Sequence, residues 1–514
     1  MRQMVLVGFL QAQNCTNLAS SWRHGQSRTD SWSPDFYRHI GRVLEAGKFH
    51  LGFFDDRLSM PDMYGRNHAH TVAHGIRCVK LDALTVLTVM GMATERLGLG
   101  ATYSTSYYEP FHVARVFATL DLMTHGRAAW NVVTSLNDGE AQNMGRDEVV
   151  GHDLRYDRAD EFMEIVLGHW DAWEDDAIVQ DKASGLFAKP EKVHRLDYQG
   201  RYFRSRGPFT VPRSAQGHPV IIQAGSSGRG KAFGARWGEV IFVVYPNVAV
   251  GRRDYAGFKA EVARFGRDPE RVKVTHLINT VAAATKNEAE YKWAEIKKLP
   301  LEIDALSLLS EALNFDFARK AMDEPFTDEE LQGMSGLQGI RDRVLSACAK
   351  KNPTVRDFIV AVGACTIRSW AGRRKWRISS SNGLPRRPAT ASCSPPRMCR
   401  GLMRTSCASS FRNCSAVACF AKSLPARRYV RISDCPGLRS VHGAQPHEPK
   451  LEFQYRIAIV DNGADLEQLL IGTKSFHPSL NARITSGSAC RDWVEHDPEK
   501  WIPVFGKDHA QRTS

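Results

Sequence analysis

The chain has 514 residues, 43% hydrophobic and 24% charged, which excludes a fibrous or low-complexity protein and allows several average domains or one large barrel with additions. No apolar run is long enough to span a membrane, and polar residues return too soon after Met1 for a secretory leader, so a cytoplasmic protein is expected. The net charge of +13 would suit a nucleic acid or a membrane surface, but its distribution argues against both. Of 69 basic and 56 acidic residues, sixteen and one lie between Thr366 and Ser440, which leaves 53 and 55 for the rest.

Up to about Arg368, apolar runs alternate with amphipathic stretches, the pattern of parallel β/α units. "QMVLVGFLQ" reads as a first strand, followed by a helix opened by Ser33-Pro34. "HLGFFDD" is a strand, and "LDALTVLTVMGMATERLG" the helix after it. "LGLGATYSTS" precedes a helix with Pro110 at its head and Gly126 after its end. "RAAWNVVTS" precedes a long helix over 154–173, and "VHRLDYQGRYFRSRG" reads as a hairpin. "PVIIQAGSS" leads into a helix from Gly230, and "EVIFVVYP" and "VKVTHLINTVAAA" are two more strands. Residues 286–350 read as a helical insertion. These are seven strands of a (β/α)₈ barrel; an eighth is due near residue 390, where neither strand nor helix period is present.

Four strands end in polar groups: Asp56, Thr102 with Ser104, Asn131 with Thr134 and Ser135, and Ser226 with Ser227. One polar strand end is ordinarily a helix cap. Four on the shared C-terminal face of a parallel barrel point to a common site. "AGSSGRGKAFGARWG" is a Gly-rich turn entering a helix, suited equally to a phosphate or to a simple Ser cap. His152 and Tyr156 lie four residues apart on one helix face, where a ligand over the helix N-terminus meets both; capping and packing are the plainer roles. The carboxylates of "DDRL", "RADEF" and "WEDDA" read as solvated faces or caps. No dinucleotide fingerprint, phosphate-loop motif or metal-ligand spacing occurs in the first 365 residues, so no metal is expected.

Together "SSWRH", "GKFHLGFFDDRLSMP", the run from Leu97 to Ser135, "HDLRYDRADEFMEIV" and the run from Gly207 to Phe242 resemble the flavin-dependent monooxygenases of the bacterial luciferase-like superfamily. The resemblance is to the group of nitrilotriacetate monooxygenase component A, EDTA monooxygenase and dibenzothiophene sulfone monooxygenase, and it covers residues 1–368. It implies an α/β fold, a (β/α)₈ TIM barrel with inserted segments. It implies reduced FMN (FMNH₂) at the C-terminal mouth, supplied by a separate NAD(P)H:flavin reductase. Oxygen would act through a peroxyflavin on a small organic N- or S-containing compound. Matching positions make Asp56, Thr102, Asn131, His152, Tyr156, Ser226 and Ser227 flavin contacts, the serines at the phosphate, with His152 the candidate base. The family usually has a small residue where Asp55 stands. Arg127, Arg155 and Arg213 are candidates for a carboxylate substrate, although ordinary pairing explains each. Dimers or tetramers are implied, with no nucleic-acid or membrane partner. Two rival readings are an inactive remnant with a basic tail and a deazaflavin-dependent oxidoreductase.

Residues 391–420 hold five of the eleven cysteines, at gaps that suit no metal knuckle. Read in the shifted frame from Arg374, codons compatible with these residues restore an amphipathic helix, an apolar strand and a terminal helix of the family pattern. The expectation is a reading-frame shift between Thr366 and Arg374. Residues 369–440 would then be an out-of-frame, disordered basic segment and 441–514 an unassigned read-through tail. The barrel would lack its last strand and C-terminal helices, leaving two open edges and a phosphate loop short of a neighbour.

Overall fold

The computed structural model describes residues 5–16, 18–225, 228–245, 248–347 and 352–364, and the backbone of three further strands at 368–372, 375–378 and 456–461. Ser226 and Ser227, and nearly all of the cysteine-rich segment and tail, lie outside the described residues. The apolar runs form strands β1 (Val5–Gln11), β2 (Leu51–Asp55), β3 (Gly98–Ser104), β4 (Ala128–Val133), β5 (Val220–Gln223), β6 (Val240–Val243) and β7 (Lys273–Ala282). Each pairs in parallel with the next. Outside the sheet lie α1 (Pro34–Ala46), α2 (Ala83–Met92), α3 (Pro110–Met123), α4 (His152–Trp170), α5 (Gly228–Trp237) and α6 (Val248–Arg264). The starts are built locally. Ser33 accepts a hydrogen bond from the Asp35 amide at 3.2 Å ahead of α1, and Asp82 accepts from the Thr85 amide at 2.8 Å ahead of α2.

Strand alternation separates two apolar layers. Val7, Leu51, Phe53, Ala129 and Ile222 fill the barrel, with Phe9 and Phe242 packed against them. The Phe53 ring lies 5.5 Å from Phe9 and 4.7 Å from Phe242, centroid to centroid. Gly100 faces the same space: a Cβ there would come within 3.3 Å of Phe53. The opposite strand faces join α1–α4 in the larger outer core, centred on Trp130, Phe117 and Phe162.

The eighth place in the ring is filled in an unforeseen way. Strand β8 (Arg368–Gly372) pairs in parallel with the last residues of β7 and turns back into β9 (Lys375–Ile378). Strand β10 (Arg456–Asp461) runs antiparallel between β7 and β1. The expected open edges are thus covered, by a strand of reversed direction from the segment read as tail. Nor does the strand before the Gly-rich turn lose a neighbour: β5 is paired on both sides, with β4 and β6.

Beyond β7 come helices α7 (Lys286–Lys297), α8 (Glu302–Leu313), α9 (Gln338–Ala347) and α10 (Val355–Ala364); the last three share an apolar cluster that includes Leu309, Leu313, Phe317, Phe326 and Phe358. They meet the mouth loops through polar contacts. Asn137 Nδ2 donates to the Glu311 carbonyl at 3.1 Å, and the Gly65 amide donates to Asp316 at 2.8 Å. No helix among the described residues is long and apolar enough to cross a membrane.

Trp130 is fully buried among Phe117, Phe162 and Trp170, and its indole N–H donates to the Tyr103 carbonyl at 3.1 Å. Trp130→Ala is expected to lower unfolding stability by about 3–5 kcal/mol, read from urea denaturation, through the cavity and the lost partner.

Candidate active site

The same alternation that places Phe9, Phe53, Gly100 and Ala129 inside the barrel puts Gln11, Asp55, Thr102 and Asn131 directly above them, at the C-terminal ends of β1 to β4. Gln11 Nε2 donates to Asp55 Oδ2 at 3.2 Å. Thr102 Oγ1 donates to the Phe54 carbonyl at 2.9 Å and accepts from Asn131 Nδ2 at 3.0 Å. Asn131 Oδ1 is buried and has no hydrogen-bond partner among the described residues. A buried carbonyl oxygen left so is costly unless a donor comes from outside the chain.

Asp55, not Asp56, is the carboxylate on the barrel-facing side of β2. Asp56 follows on the other side, and its Oδ1 accepts from the Arg57 amide at 2.8 Å. Burial raises its carboxyl to a pKa of about 7, helped by Asp55 and Asp82 and opposed by the Arg57 amide and Lys80. Beside it Tyr103 and Tyr108 stack at 4.7 Å, and the Tyr103 hydroxyl donates to Asp82 at 2.8 Å. Burial, with Asp56 next, lifts Tyr108 to about 12.

The second half of the site lies across β4 and β5. Tyr156, buried on α4, hydrogen-bonds the side chains of Thr134 and Gln223, and burial raises its hydroxyl pKa. Its hydroxyl closes on α5: a Cβ on Gly230 would lie 2.6 Å from Tyr156 Oη and 3.3 Å from Gly225 Cα. Gly225 and Gly230 are therefore packed too closely for a side chain, and α5 begins beside Tyr156. His152 starts α4 with its ring 5.1 Å from Tyr156, and its Nδ1 lies 2.7 Å from Asp153 Oδ1. The structure thus brings Thr102 and Asn131 together over the barrel, and His152 and Tyr156 together beside the turn.

Several mouth residues were not singled out from the sequence. Glu140, buried, accepts from the Leu58 amide at 3.1 Å and from Ser135 Oγ at 3.3 Å. Glu311 of α8 lies 3.6 Å from both Arg77 and Lys80. Burial pushes its carboxyl up, but Lys80, Arg57 and Arg77 together bring it below its ordinary value. Arg57 is held charged against burial by Glu311 and Glu140. "DDRL" is therefore no solvated face but part of a buried charge cluster. A signal was available: three charged residues, Asp55, Asp56 and Arg57, follow directly on the apolar run of β2.

The arginine candidates separate. Arg127 is spent on the Thr124, Leu97, Gly91 and Thr94 carbonyls at the far end of the barrel. Arg213 pairs with Asp171 and Asp175. Only Arg155 lies near the mouth, buried, with Nη1 on the Val150 carbonyl.

Residues 35–337 match the family described as luciferase-like monooxygenase. The chain belongs to that family. Similar relatives include the dibenzothiophene-sulfone monooxygenase of Rhodococcus erythropolis, 46% identical over 64% of this chain and 72% of the relative. Nitrilotriacetate monooxygenase component A of Aminobacter aminovorans is 38% identical over 66% and 76%. Among solved structures, a riboflavin lyase crystallised with modified FMN and riboflavin superposes with a TM-score of 0.61 at 30% identity, over 72% of this chain and 87% of that one. This luciferase-like monooxygenase is therefore a flavin-dependent oxygenase. Its described residues fit such a cofactor in two places: an unsatisfied Asn131 oxygen at the barrel mouth, and a helix N-terminus behind a glycine turn.

Two outcomes follow. A carboxyl raised to about 7 binds its proton more tightly in the fold than its unfolded value of about 4 allows. Its contribution to stability is full below about pH 4 and is lost as pH rises through about 7. Asp56→Asn should flatten that part of the stability–pH curve, measured by urea unfolding across the range. Glu311→Ala leaves three buried or half-buried cations facing one another, and should cost about 3–5 kcal/mol by the same measurement.

Proposed function

We propose that this chain is the oxygenase of a two-component system. It uses reduced FMN, delivered by a separate NAD(P)H:flavin reductase, and O₂ to oxygenate a small organic compound at carbon next to nitrogen or sulfur. The relatives support the class: one is named for a sulfone, another as component A of an aminopolycarboxylate monooxygenase. The observation that carries the reading is Asn131 Oδ1, a buried acceptor without a donor on the polar ring above the barrel.

In this reading Asn131 and Thr102 hold the edge of the flavin ring, with Asn131 accepting a ring N–H. Tyr156, Ser226, Ser227 and the first amides of α5 hold the phosphate. Bound there, reduced FMN supplies two electrons, and O₂ gives one oxygen atom to the substrate and the other to water. The chain's own residues do the rest. Asp56, which titrates near neutral pH, holds or releases a proton at its carboxyl beside Arg57. His152 is the second proton carrier, at the head of α4. The insertion helices, tied down through Glu311 and Asp316, keep water from the mouth.

The test is binding followed by turnover. Asn131→Ala should weaken FMN binding by about tenfold to a hundredfold, as expected for about 1–3 kcal/mol of lost hydrogen bonding. Flavin fluorescence reads this directly, and an unchanged affinity would remove the ring from its proposed place. With dibenzothiophene sulfone or nitrilotriacetate as probe, oxygenated product should form when any NAD(P)H:flavin reductase supplies the flavin. Turnover that required hydride transfer and consumed no oxygen would overturn the oxygenase reading.

A further inference from the structure

Cys15 and Cys78 stand on two segments that leave the barrel mouth and pair with each other. Gln13 and Lys80 form an antiparallel bridge. On either side of it the Leu81 amide donates to the Ala12 carbonyl at 2.7 Å and the Asn14 amide to the Val79 carbonyl at 3.2 Å. Those two bonds flank a pair whose own amides do not bond each other. The bridge does not extend into a ladder, because the Val79 amide turns to Asn14 Oδ1 at 3.1 Å; Cys15 lies two residues beyond Gln13 and Cys78 two before Lys80. A disulfide needs Cα atoms about 4.4–6.8 Å apart, so the two residues must be near neighbours. Side-chain contacts agree. The amide of Arg77, the residue before Cys78, hydrogen-bonds the Cys15 sulfur, and Cys15 and Cys78 interact electrostatically. Gln13 Nε2 lies 3.8 Å from Cys15 Sγ on the same face. Both thiols are free, Cys15 buried and Cys78 half-buried.

We propose that Cys15 and Cys78 are an oxidation site that closes into an intrachain disulfide under peroxide. The half-buried Cys78 meets the oxidant first. Its sulfur attacks one peroxide oxygen, the O–O bond breaks, and a sulfenic acid forms with release of water. The Cys15 sulfur then displaces hydroxide from that sulfenic sulfur, the S–S bond forms, and a second water leaves. Two thiols are oxidised and one hydrogen peroxide is reduced to two waters. Burial holds the Cys15 thiol at about 11, so it serves as the resolving partner rather than as the first nucleophile. The bond would fasten the segment after β1 to the segment carrying Arg77 and Lys80, the two residues that grip Glu311.

The experiment treats the full chain with hydrogen peroxide, blocks the remaining thiols, digests without reductant and maps crosslinked peptides by mass. The expected result is a Cys15–Cys78 linked peptide that vanishes with dithiothreitol and does not form in Cys78→Ser. In that variant Cys15 should stay as free thiol. Overoxidation of Cys78 to sulfinic acid with Cys15 untouched, or links that join either residue only to other cysteines, would overturn the proposal. Mapping the unsubstituted protein keeps the test independent of whether the variant folds.

Discussion

Charge that cannot reach water must find charge of the other sign, and at this barrel's mouth that requirement organises everything above the sheet. Glu311 comes from α8, Arg57 from the end of β2, and Arg77 and Lys80 from the segment ahead of α2. Burying Glu311 alone would raise its pKa and neutralise it; with three cations close by it is held ionised instead. The insertion is thus fixed over the mouth by a few strong, direction-dependent contacts, while its own apolar cluster holds its helices to one another and to Tyr64 of the loop after β2. At Asp56 the charge of Lys80 and the Arg57 amide do not offset burial, which is why its carboxyl titrates near neutral pH.

The seven-strand scaffold was legible because strand burial in a parallel barrel writes itself as near-continuous apolar runs; the run ending at Gln11 ends where its strand does, and those ending at Asp56 and Ser106 overshoot theirs by one and two residues. Thr102 and Asn131 were legible for the same reason, since polar groups at the ends of such runs have only the mouth to face. Asp55 and Asp56 show where that reasoning stops. Adjacent carboxylates at a strand end go to opposite sides, and which one faces the barrel depends on whether the strand's last paired residue is Asp55 or its neighbour. Helix α6 escaped notice although Tyr255, Phe258 and Val262 fall at i, i+3 and i+7 and pack together, because two glycines and a run of charges interrupt Val248–Arg264. The partnership of Glu311 with Arg57, Arg77 and Lys80 joins residues more than two hundred positions apart, and no local pattern carries it.

The place of β10 decides how much of the chemistry depends on the unusual C-terminal region. Its register sets Arg456 beside Phe9 and Asn279, near the mouth, and Val460 beside Val5, near the opposite end. An antiparallel strand satisfies the exposed edges of β1 and β7 as fully as a parallel one, so closure itself is indifferent to direction. Function is not. Parallel strands bring their C-termini, and the loops after them, to the mouth; β10 brings its N-terminus and the chain before it. A parallel strand in this slot would instead hand the mouth the loop that follows it. The slot lies between β7 and β1, directly across the ring from β4, which carries Asn131. The residues proposed to hold the flavin come from β3, β4, α4 and the turn after β5, and none borders the slot. Exchanging the last strand would therefore alter the wall next to Gln11, where a substrate could lie, before it altered the cofactor's seat.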